Sequence, residues 1–88
     1  MHHIAFVKHE ANKAFLQAFG KHLRKLREER ELSIRQLAAQ CDLEHSQIYR
    51  IETGEINTTI SMAQKIAEGL EIPHQELFNF RFPVKGTK

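Results

Sequence analysis

Residues 33–54, SIRQLAAQCDLEHSQIYRIETG, decide how this chain folds. They read as two short helices joined by a tight turn. Ser33 has the hydroxyl that accepts a hydrogen bond from an amide left unpaired in a helix's first turn. Leu37 and Ala38 give the helix behind it a narrow inward face. The pattern breaks at Cys41-Asp42-Leu43, where the short polar side chain of Asp42 tolerates left-handed backbone. A second helix is expected over residues 44–53 and stops at Gly54, a residue favoured just past helix ends. On that helix Ile48 and Ile51 share one side, while His45, Ser46, Tyr49 and Arg50 share the other. The outer side is polar, holds one amphipathic aromatic ring and is interrupted by no acid. Any solvated helix is polar outside, so the face alone decides little. Its combination with the turn and with apolar helices on both sides suits a helix laid in the major groove of DNA, where base edges present donors and acceptors.

The rest of the composition bounds the alternatives. Eighty-eight residues make one domain with a modest core. A net charge of +2 argues only weakly for nucleic acid, so the placement of charge has to carry that case. One cysteine leaves neither an intramolecular disulfide nor a cysteine-based zinc site, which points to a reducing, cytoplasmic setting. No apolar run approaches a membrane span and no signal-peptide core opens the chain. No cofactor, metal or small-molecule effector is expected. His2, His3 and His9 lack the acidic or thiol partners that would complete a metal set.

Before the central stretch, residues 12–31 read as a helix with Phe15, Phe19, Leu23 and Leu26 turned inward and Asn12 as a candidate cap. Lys21, Arg24, Lys25 and Arg27 crowd its outer face, balanced in part by Glu28, Glu29 and Glu31. Residues 1–11 form an N-terminal arm in which Ile4 and Phe6 alternate, a pattern that favours extended chain. After Gly54 comes a polar connector. Thr58 or Thr59 then caps a helix running to about residue 70, whose inward face is Ile60, Ala63, Ile66, Ala67 and Leu70. Pro73 suits the first turn of a short last helix. In the tail, residues 79–88, Phe80, Phe82 and Val84 alternate with polar residues as a strand would. The expected architecture is all-α: a compact four- to five-helix domain over residues 12–78, with possible short extended segments at the termini.

The stretch LSIRQLAAQCDLEHSQIYRIETGEIN, followed by KIAEGLEIPHQELFNF, resembles the helix-turn-helix family of phage repressors and related small bacterial regulators. Within it the chain is most similar to the controller proteins of restriction–modification systems. The likeness covers about residues 19–80. Two positions depart from the family pattern: Ile34 stands where Gln usually follows the first cap, and Asp42 replaces the usual turn Gly. The first removes an expected phosphate contact. The resemblance implies that Arg27 pairs with Glu52, tying the first helix to the recognition helix through two parallel hydrogen bonds.

These readings converge on a sequence-specific regulator of transcription that binds double-stranded DNA as a homodimer on a palindromic site. Glu44, His45, Ser46, Tyr49 and Arg50 are the candidate base readers, with Arg50 able to pair bidentately with guanine. Ser33, Arg35, Gln47, Asn57 and Thr58 are the candidate phosphate contacts. Leu77, Phe78, Phe80 and Phe82 leave more apolar surface than so small a core can cover, and are assigned to the dimer contact. An antitoxin or protein-interaction module of the same fold would show acids or apolar side chains on the recognition face instead. Enzymatic function has no support, because no nucleophile stands in a known spacing with a base and an orienting group.

Overall fold

The computed structural model describes the backbone over residues 2–83 and the side chains over residues 12–83. Its elements are α1 (His2–Glu29), α2 (Ile34–Cys41), α3 (His45–Glu52), α4 (Ile60–Leu70) and a closing 3-10 turn, His74–Phe78. No strand occurs among the described residues.

Local chemistry sets the boundaries. The hydroxyl of Ser33 accepts from the Gln36 amide at 3.0 Å, and the Gln36 side chain accepts from the Ser33 amide at 2.7 Å, a reciprocal box that starts α2. Asp42 takes left-handed backbone at φ 57°, and the Leu43 amide reaches back to the Ala38 carbonyl at 2.9 Å. Glu71 does the same after α4, at φ 59°. Thr59 rather than Thr58 starts α4, its hydroxyl accepting from the Met62 amide at 3.0 Å.

Packing follows the apolar stripes. Leu23, Leu37, Ile48, Ile51, Ile66 and Leu77 are fully buried, one or two from each helix and one from the 3-10 turn. Two glycines mark places where backbones meet. Gly20 of α1 lies against the carbonyls of Ile51 and Glu52, and Gly69 of α4 lies against Cys41.

Four expectations change here. α1 runs on through Asn12 back to His2, so the segment read as extended is helical backbone. Its length of 28 residues matches the 43 Å long axis of the molecule, at about 1.5 Å per residue. Phe15 is not a core residue; it lies at the surface end of the stripe. Ile60, assigned to the inward face of α4, is 91% exposed, because it occupies the first turn on the side away from α2. The tail folds back on its own chain without forming a strand. Phe80 and Phe82 pack on Phe15 with ring centroids 5.5 and 5.1 Å apart, and Phe78 stacks obliquely on Phe19 at 5.2 Å. His22, buried on α1, holds this arrangement by a 2.7 Å hydrogen bond from Nε2 to the Glu76 carbonyl. Val84, also assigned to that strand, lies outside the described residues, as do the side chains of Ile4, Phe6 and Val7.

Candidate nucleic-acid interface

The recognition helix is held from behind and open in front. Ile48 and Ile51 are sunk in the core, while His45, Tyr49 and Arg50 are exposed and Ser46 is half-buried. Tyr49 is 52% exposed, an unusual position for an aromatic ring unless something covers it. Glu44 sits just before the helix as its cap residue, with its amide donating to the Gln47 side chain at 3.0 Å. That bond occupies Gln47 Oε1 and leaves its amide NH₂ free to donate, the polarity that a phosphate oxygen requires.

Behind α3 stands the ion pair. Arg27 Nε donates to Glu52 Oε2 at 2.7 Å and Nη2 donates to Oε1 at 3.0 Å, the parallel geometry of a bidentate pair. Arg27 Nη1 donates in addition to the Leu32 carbonyl at 2.8 Å, just ahead of α2. One buried guanidinium therefore fixes α1, the entry to α2 and the end of α3. The hydrogen bonds and charge of Glu52 raise the Arg27 pKa above its already high value, outweighing the burial that lowers it.

The candidate phosphate contacts divide. Ser33 and Arg35 at the start of α2 are exposed, and Asn57 is exposed after α3. Ser33 Oγ is engaged as the α2 cap but keeps its hydrogen to donate. Thr58 does not join them: its hydroxyl is buried without a partner, so a phosphate cannot reach it in this arrangement. The assigned dimer residues also divide. Leu77 is fully buried inside its own chain and cannot form a surface contact. Phe80 and Phe82 are occupied by Phe15 and Phe19, and Phe78 alone stays half-exposed, at 52%.

What the sequence did not show is the apolar groove beside Phe78. It has a volume of about 420 Å³ and runs between α1 and α4, lined by Phe15, Leu16, Ile60, Ala63 and Phe78. Only the helical phase of Ile60, one turn off the core stripe, hinted at it. Among the described residues no group of His, Cys, Asp and Glu gathers as metal ligands, and no helix is long and apolar enough to cross a membrane.

Comparison with known proteins gives a consistent result. A helix-turn-helix family model matches residues 23–77. The HTH-type transcriptional repressor RghR of Bacillus subtilis is 40% identical over 63 residues, which are 70% of this chain and 47% of that protein. The chain thus spans about half the length of that relative. Control protein C.MunI of a Mycoplasma species is 42% identical over 62 residues, 69% of this chain and 84% of that protein. The crystal structure of the restriction-modification controller protein C.AhdI from Aeromonas hydrophila superposes with a TM-score of 0.73 at 37% identity, covering 74% of this chain and 98% of that one. With more than half its length matched and the turn geometry in place, the chain belongs to the helix-turn-helix family of DNA-binding transcriptional regulators.

Proposed function

We propose that the chain is a sequence-specific regulator of the restriction–modification controller type, acting as a homodimer on a palindromic operator. The observation that carries this reading is the outer face of α3: His45, Ser46, Tyr49 and Arg50 stand free of intramolecular side-chain partners on a helix clamped from behind. The relatives support the subclass. The chain covers 84% and 98% of two controller proteins but only 47% of the repressor.

A single domain of this size reads few bases, and twofold pairing doubles the contacts, with half-sites about 34 Å apart. The groove between α1 and α4 is the face for that pairing, since Ile60 and Phe78 are the large apolar side chains most open to water beyond the DNA-facing helix. Ile60→Asp places a charge there and touches no buried residue. The variant should keep its helical content and sediment as a monomer at micromolar concentration, while the parent sediments as a dimer. A dimeric Ile60→Asp protein would put the contact elsewhere.

Base reading is tested on a duplex selected from random sequences and on a scrambled control. Arg50→Ala should weaken binding to the selected duplex by about 1–3 kcal/mol and relax preference at one base pair in each half-site. Arg35→Ala should weaken both duplexes alike and reduce the salt slope by about one. Equal losses for Arg50→Ala on both duplexes would remove it from the base readers.

A further inference from the structure

The first half of α1 lies outside the matched family segment, yet it borders the recognition helix. Asn12, Lys13, Leu16 and Gln17 face Thr53, Gly54 and Glu55 across an open concavity of about 600 Å³. The approach is close. A side chain at Gly54, whose φ of +80° already favours glycine, would run into Gln17, with Cγ only 2.6 Å from the added atom. Gly54 therefore works as a seat for α1, and the concavity beside it keeps its shape.

Its position along α3 matters. Thr53 follows Tyr49 by four residues and Arg50 by three, so it continues the outer face of the recognition helix by one turn. The concavity is thus the extension of the reading face beyond its C-terminal end. Its polar groups differ in availability. The Thr53 hydroxyl donates to Glu55 Oε2 at 2.9 Å, which turns that carboxylate toward the connector. Lys13 is exposed and makes no ion pair among the described residues. The amide groups of Asn12 and Gln17 make no hydrogen bonds among those described, so each keeps donors free.

We propose that Lys13, flanked by Asn12 and Gln17, forms a second phosphate-binding element that grips the DNA backbone at the C-terminal end of α3. This rests on the reading that α3 lies in the major groove. A helix in that groove runs between two walls of phosphates. Ser33 and Arg35 serve one wall from the start of α2; Lys13 serves backbone next to the other end of α3. Glu55 sets the limit of this site, since its charge opposes a phosphate drawn too far toward the connector.

Three variants in the full chain test the assignment, with binding to selected and scrambled duplexes measured over a range of salt. Lys13→Gln should weaken both duplexes by the same factor, about three- to tenfold at low salt, and reduce the salt slope by about 0.9. Glu55→Gln should tighten both. Lys65→Gln, which removes the same charge from α4 beside Asp42, should change neither slope nor affinity beyond twofold. An unchanged slope for Lys13→Gln, or an equal loss for Lys65→Gln, overturns the proposal while the parent still binds its selected duplex. A parent that binds no duplex overturns the DNA reading itself, and this site with it.

Discussion

Replacing Arg27 by Met should cost about 3–5 kcal/mol of folding stability, as should replacing Glu52 by Leu, whereas replacing both should cost less than either alone. The reason is the asymmetry of buried charge. Arg27 and Glu52 are both buried, and each satisfies the other through two short hydrogen bonds. Removing the arginine strands a carboxylate in the core with no donor. Removing the glutamate leaves the guanidinium only its bond to the Leu32 carbonyl. Removing both leaves apolar groups of similar bulk where two ions stood, and little desolvation cost remains. Thermal or denaturant unfolding of the two single variants and the double variant gives the coupling energy directly. Single losses that simply add would mean that the two groups are independent, in conflict with the bidentate geometry.

The second large effect comes from the smallest change. In an exposed helix interior, Gly→Ala stabilises by about 0.5–1 kcal/mol. At Gly20 the sign should reverse, to a loss of at least about 1–3 kcal/mol, the range for forcing extra volume into a packed site. A methyl group there would overlap the main-chain carbonyls of Ile51 and Glu52, with the Glu52 carbonyl carbon 2.6 Å away. Main chain cannot swing aside as a side chain does, so α1 would have to back away from α3. That movement also pulls Arg27 from Glu52, which makes the two effects interdependent. Gly20→Ala in the background of the Arg27→Met, Glu52→Leu double variant should therefore lose less than in the parent. Unfolding curves decide it, and a Gly20→Ala protein as stable as the parent would show that α1 and α3 do not approach as described.

How much of this was legible beforehand varied with the range of the cause. The turn between α2 and α3 is written in neighbouring residues: a Ser33 cap, a left-handed Asp42, a Gly54 stop. Such local chemistry reads directly from the sequence, and the helices lie within one residue of their expected ends at that turn. The termini depended on distant partners. Two alternating apolar residues, Ile4 and Phe6, were too few to define a strand, and no breaker stands between them and α1, so the helix simply continues. The tail does alternate, but alternation records only which side chains seek cover. The cover came from Phe15, Phe19 and His22, some sixty residues earlier, and no period in the tail could reveal that. The same holds for Leu77, which α1 and α4 enclose. At the interface, the exposed face of α3 was readable from helical phase. The loss of Thr58 was not, because its burial depends on how the connector is drawn over the groove.

The thiol of Cys41 has a use unrelated to its packing. It is the sole cysteine, lies buried where α2 crosses α4, and faces the Ile66 carbonyl with Sγ 3.9 Å away. Burial pushes its pKa up to about 11, and only a thiolate attacks an alkylating reagent. At neutral pH the closed molecule is thus doubly protected, by occlusion and by its bound proton. Alkylation proceeds only in the moments when α2 has swung away from α4. The chain carries its own stopwatch: the labelling rate, divided by that of a free thiol, is the fraction of time the helix bearing Ser33 and Arg35 spends out of place.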